Sequence, residues 1–295
     1  MADKNKTRQS PYSLSAEKAV LGCLLINKDA IHKTIHSLSI NAFYDEAHKI
    51  IYKAICNMFE DGQIVDSVTI TDYLKKNKNL KQVGDSYYIS GLIEDAPSSE
   101  NVDYYSDIVK QKYTLRTIKS LLNSSSDSQL ESLKINFKII DHNSSDDNLK
   151  KIDNIFKNFK KDYVLIKLDV SKFKDQIEKT NQRGDEVSLN QISNMANIHQ
   201  SLLESKQCED LIYFVEDDYI HNKDSIKEMI FTYERVASQI KNELIICPTD
   251  YPYLYTKAEA TQNFLGHKYH WRRINETLCT FLTSKQIIEK YWDNY

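Results

Sequence analysis

The chain has 295 residues, 41% of them apolar, with 39 Lys and Arg against 42 Asp and Glu for a net charge of −3. That is enough chain for two domains and enough apolar residue for real cores. The near-even charge balance excludes a polybasic protein built to coat a phosphate backbone, so no direct nucleic-acid binding is expected.

No apolar run reaches the roughly 18 residues of a membrane span, and the opening MADKNKTRQSPYS lacks the apolar stretch of a secretory signal. The 5 cysteines are odd in number and show no CxxC spacing. They read as reduced thiols in a cytoplasmic compartment.

Residues 1–10 read as a disordered polar tail. From Ser13 to about residue 120 the periodicity is helical. SAEKAVLGCLL places Ala16, Val20, Cys23 and Leu24 on one stripe, and FYDEAHKIIYKAICNMF places Phe43, Ala47, Ile50, Ile51, Ala54, Ile55 and Met58 on another. DSVTITDYLKK has capping-box spacing from Thr69 to Asp72. Pro97 and Ser98 open a further helix, with Val102, Tyr105 and Val109 as its apolar face. His32 and His36 share a helix face without an HExxH frame and read as surface or core edge.

After residue 120 the pattern changes. LLNSSSDSQLES reads as a linker or loop. Short apolar runs then alternate with helical segments: strands at 135–140, 163–168, 211–215 and 244–247. The helices between them are SDDNLKKIDNIFKNF, SLNQISNMANIHQSLL (Leu189, Ile192, Met195, Ala196 and Leu202 inward) and SIKEMIFTYERVASQI. Such alternation predicts a mostly parallel sheet covered by helices. Ligands of such sheets bind beyond the strands' carboxyl ends. The segment DHNSS, from Asp141, and the three acids Glu216, Asp217 and Asp218 lie at those ends. The acids are either a solvated turn favouring the next helix N-terminus or ligands for a hard cation. Neither GxxxxGK[ST], GxGxxG nor GxSxG occurs, so no helicase motor or ATPase is expected from these residues.

Two resemblances sharpen this reading. Residues 11–116 carry PYSLSAEKAVLG, FYDEAHKIIYKAI, DGQIVDSVTITDYL and APSSENVDYYSDIVKQKYTLR in order. They resemble the N-terminal domain of the replicative DNA helicase DnaB. The resemblance implies a noncatalytic helical bundle that pairs with its own copies and contacts primase.

Residues from about 114 to 295 resemble nucleotide-sugar glycosyltransferases of the GT-A fold. There FKIIDHNSSDDNLKKI looks like a strand whose following Asp, here Asp141, contacts the nucleoside. DLIYFVEDDYIH looks like the strand ending in a DxD-like motif. The resemblance implies Mn²⁺ or Mg²⁺ on Glu216 and Asp218, with Asp217 beside a nucleotide diphosphate sugar. It also implies Glu276 as the base that takes the acceptor's proton, and His270, Trp271 and Arg272 lining the sugar or acceptor pocket. For Glu276 a helix cap or ion pair is the competing reading. The first strand of that fold has no counterpart here. The chain thus reads as a chimera, natural, artefactual or designed: a helical domain at 11–116, then an incomplete α/β domain at 117–295.

Overall fold

In the computed structural model, which describes residues 10–177, 179–180, 184, 186–249, 261–274 and 279–292, the chain divides into two units, Met1–Ile118 and Lys119–Tyr295. The first unit is helical. Helices α1 (Leu14–Ile26), α2 (Lys28–Thr34), α3 (Glu46–Glu60), α4 (Ser67–Lys76) and α5 (Asp85–Glu94) precede α6 (Val102–Ser124), which begins in this unit. Polar side chains ahead of four of these helices satisfy their first amides, as helix starts require. Ser13 accepts from the Ala16 N–H, Asn27 from Asp29 and Asp45 from Ala47. Ahead of α4 the capping box is formed by Asp66 and Thr69, one turn earlier than the expected Thr69 to Asp72. Asp66 is the residue with extended backbone, so its carboxylate faces the free amides.

The expected stripe of α1 is too narrow. From Ala16 to Leu25 every residue but Lys18 is buried, so α1 is the central helix of the bundle. Gly22 explains its close packing: a Cβ there would lie 2.2 Å from the Leu92 carbonyl oxygen and 2.7 Å from the Ala96 Cβ. Around α1 runs one continuous core that includes Leu21, Leu24, Phe43, Ile51, Tyr52, Ile55, Ile70, Leu74, Ile89 and Val109.

The second unit mixes helix and sheet. The Ser-rich stretch read as a linker is helical through Ser124, with Ser124 and Ser125 buried. Two of its serines are satisfied locally, Ser125 and Ser126 both donating to the Leu122 carbonyl. There follow β1 (Phe137–Asp141), α7 (Asp146–Asn158), β2 (Tyr163–Lys167), α8 (Leu189–Ser205), β3 (Leu211–Phe214), α9 (Ser225–Ile240) and β4 (Ile245–Ile246). Then come β5 (Asn263–Leu265), β6 (His270–Arg272), β7 (Phe281–Ser284) and α10 (Lys285–Lys290).

The strands do not form the mostly parallel sheet expected. Among the described residues β1 and β2 pair in parallel, β3, β7 and β4 form an antiparallel sheet in that order, and β5 and β6 form an antiparallel ladder of their own. The physical reason is β7. It returns from the end of the chain and inserts between β3 and β4, running against both. Phe156 of α7 covers the parallel pair, with its ring 5.6 Å from that of Phe137 and 4.3 Å from that of Tyr163. On α8, Ala196 and Leu202 point inward as expected. Leu189, at its first residue, is instead 83% exposed.

Candidate functional site

Strand β3 delivers Glu216, Asp217 and Asp218 to the surface, where all three are exposed. Sheet pairing of Phe214 with Phe281 brings Thr280 beside them. The Glu216 N–H donates to the Thr280 hydroxyl at 3.2 Å, and that hydroxyl lies 3.4 Å from a Glu216 carboxylate oxygen. Desolvation, then the charge of Asp218, then that of Asp217, raise the Glu216 pKa above the ordinary carboxylate value, with Thr280 partly opposing. Three residues on, the chain folds back. The His221 imidazole sits edge-on to Tyr213 and 2.9 Å from its hydroxyl, and burial pushes it down to about 4. Among the described residues no three His, Cys, Asp or Glu side chains converge as a metal cage.

The loop after β1 is knitted into the fold. Asp141 is buried, and Lys167 on the neighbouring strand donates to it at 2.6 Å. Burial alone would raise the Asp141 pKa, but the Lys167 and Ser144 hydrogen bonds outweigh it and hold the carboxyl below its usual range. His142 Nδ1 lies 2.6 Å from the Ser193 hydroxyl of α8. Ser145 caps α7 by accepting from the Asn148 N–H.

Of the expected pocket residues, Trp271 has a different partner. Its indole N–H donates to the buried Glu228 of α9 at 3.0 Å. The same carboxylate accepts from the Lys268 N–H at 2.8 Å, the Tyr269 N–H at 3.2 Å and the Thr232 hydroxyl at 3.0 Å. Burial raises the Glu228 pKa, yet its four donors, Trp271 foremost, lower it on balance. Glu228 thus pins the β5–β6 turn to α9, and Trp271 is a fastening of that turn. Gly266 permits this packing, since a Cβ there would lie 2.4 Å from the Trp271 ring. His270 is exposed and Arg272 half-buried. Glu276 lies outside the described residues, as does most of the aromatic loop that follows Pro248.

The helical unit buries a polar chain of its own. Glu17 on α1 accepts from the Tyr44 N–H at 2.8 Å and the Asp45 N–H at 3.3 Å, and lies 2.7 Å from His48 Nδ1 on α3. His48 Nε2 lies 2.7 Å from the hydroxyl of Tyr88 on α5. Burial, then the charges of Asp45 and Glu17, raise the Tyr88 pKa. Three helices are thereby tied by groups that each have a partner, as buried polar groups require. Arg116 of α6 donates to the carbonyls of Pro11, Asn41 and Ala42, and its guanidinium lies over the Tyr44 and Tyr113 rings. Tyr44 stacks on Tyr12 at 4.4 Å.

Residues 9–111 match the family model of the DnaB-like helicase N terminal domain. This part of the chain is similar to the DnaB-like helicase N-terminal domain. The replicative DNA helicase DnaB of Rhodothermus marinus is 38% identical over 112 residues, which is 38% of this chain and 12% of that protein. DnaB of Mycobacterium leprae is 37% identical over 111 residues, covering 38% of this chain and 18% of that protein. DnaB of Geobacillus stearothermophilus is 34% identical over 118 residues, covering 40% and 26%. The match to these three relatives therefore spans about a quarter of their length or less. A crystal structure of the N-terminal domain of DnaB helicase from Mycobacterium tuberculosis aligns over 51% of this chain and 99% of its own, at 26% identity and a TM-score of 0.40.

In the first unit the sequence pattern passed over Glu17, His48 and Arg116; in the second it passed over Glu228. The available signal was a charge at a position the helical pattern makes internal. Glu17 adjoins the apolar Ala16 and stands three residues before Val20, and Glu228 stands between Ile226 and Met229. A buried charge in such a place needs a partner. The sequence does not show where that partner is.

Proposed function

We propose that residues 9–111 act as a noncatalytic replication interaction module that self-associates and contacts a primase. The family-model match over those residues carries this reading. It is supported by a core that closes on itself and by the Glu17–His48–Tyr88 chain, whose groups hold helices together and do not face an outside reactant. The test is light scattering of the full chain over a concentration series, with a bacterial primase then added. Concentration-dependent oligomers, or a stable mixed species with primase, are the expected result. A monomer at every concentration that leaves primase unshifted overturns the reading.

A second reading concerns residues 117–295: metal-dependent transfer of sugar from a nucleotide diphosphate sugar. The observation in its favour is the end of β3, where desolvation first, and then the charges of Asp218 and Asp217, raise the Glu216 pKa, and where a divalent cation would relieve the crowding of these carboxylates. In this reading Glu216 and Asp218 would hold the cation, with diphosphate oxygens completing its shell. When bound, Mn²⁺ or Mg²⁺ would stabilise charge on the departing diphosphate. Asp217 and Asp141 would lie toward the nucleotide, His270, Trp271 and Arg272 toward the sugar or acceptor, and Glu276 would take the acceptor proton. The Glu228–Trp271 bond weighs against a mobile role for Trp271. Calorimetric titration of the full chain with UDP, with and without Mn²⁺, tests this. Manganese-dependent heat that Asp218→Asn abolishes supports it. No binding of either UDP or Mn²⁺ overturns it.

A further inference from the structure

Helix α9 begins without a cap of its own. Asp224 stands at its N-cap position, but its side chain makes no capping hydrogen bond, and its carboxylate is turned to Lys268 at 3.0 Å. The first turn of a helix presents free N–H groups, and a buried one left unmet is costly. Here another helix meets it. The hydroxyl of Ser124, fully buried in the last turn of α6, accepts from the Ile226 N–H at 3.0 Å. One turn earlier on α6, the Ser120 hydroxyl accepts from the His221 N–H at 2.8 Å. Just past the helix, Asp127 accepts from Lys227 at 2.9 Å. Three successive side chains, spaced along one helix face and the turn after it, therefore grip three successive points of the segment that follows the acidic triplet.

Serine is a weak helix former unless its hydroxyl has other work. Ser120 and Ser124 are four residues apart, so they share a face, and both hydroxyls are aimed at the same loop. His221 is drawn in beneath them, its ring against Tyr213.

We infer that Ser120, Ser124 and Asp127 form a latch: the segment from His221 into the first turn of α9 keeps its order while residues 119–124 are helical and loses it when they are not. The latch supplies from another helix of the same chain a cap that α9 lacks, and it anchors the C-terminal end of the loop that carries the three surface carboxylates. This does not depend on what, if anything, the carboxylates bind.

Hydrogen exchange on the full chain, read at the His221 and Ile226 amides, tests it. In Ser124→Ala the Ile226 amide, and in Ser120→Ala the His221 amide, is expected to exchange about tenfold faster or more. Ser126→Ala, whose hydroxyl donates only to Leu122, is the control and should change neither. Unchanged protection in both latch variants overturns the inference. Should Ser124→Ala loosen the whole of the second unit, Ser120→Ala decides alone, because Ser120 is only half-buried. Local loss at His221 with the β3–β7 amides still protected supports a latch. Protection equal to the parent's, or lost uniformly across the unit, overturns it.

Discussion

Glu228 and Glu216 are two glutamates twelve positions apart with opposite consequences for stability. Glu228 has four donors and a folded pKa below its ordinary 4.5. It therefore stabilises the fold at pH above 4.5, and that contribution is lost as the pH falls through the depressed folded value. Glu228→Gln is expected to cost about 1–3 kcal/mol at neutral pH. In urea melts the gap between parent and variant should narrow below pH 4.5; a constant gap would contradict the assignment. Glu216 behaves in reverse. Its folded pKa is raised, so its charged form opposes folding, and this opposition grows as pH rises from 4.5 through the folded value. Glu216→Gln is expected to raise the melting temperature at neutral pH and to leave it unchanged in acid, as calorimetric scans would show. Neither role was legible from the residues themselves. Both are glutamates near apolar neighbours, and the difference lies in which donors and charges the fold places around them.

At the scale of elements, helices were legible and strand partners were not. The periods around Ile51, Ile55 and Met58, and around Ile226, Met229 and Tyr233, mark helix faces that are indeed buried. A helix makes its own hydrogen bonds, so its signal is local. A strand's partners can lie anywhere in the chain. Nothing in FLTS says that it inserts between LIYF and the short strand at 245–246, and the parallel expectation failed there. Close packing of helices was similarly hidden in single glycines. Gly22→Ala would force α1 from the Leu92 carbonyl of α5. It is expected to destabilise the helical unit by about 1–3 kcal/mol, read as a lower melting midpoint in far-ultraviolet circular dichroism. A midpoint equal to the parent's would mean that α1 and α5 are not so close.

At the scale of the whole molecule, two units whose cores share no residues predict two separable stabilities. The core from Ala16 to Tyr113 lies wholly in the first unit, and those built on Met229, Phe173 and Ile288 lie in the second. A fragment ending at Ile118 keeps Arg116 and its three carbonyl partners. It is expected to unfold in a single cooperative transition. A fragment that melts without cooperativity would show that the helical unit needs the residues beyond it. No helix among the described residues is long and apolar enough to cross a membrane.

By itself the sequence determined that the chain has a helical half and a mixed half, where most helices begin, and that the first half carries the DnaB-like series of residues. Those properties are written in local periods and in ordered motifs that survive without knowledge of contacts. The tertiary structure alone decided that β7 splits β3 from β4, that Trp271 fastens a turn to Glu228, and that Ser124 caps a helix a hundred residues away. Each of these is a hydrogen bond between groups distant in the chain. Such a bond forms because burial leaves a polar group needing a partner, and only the fold determines which one is near.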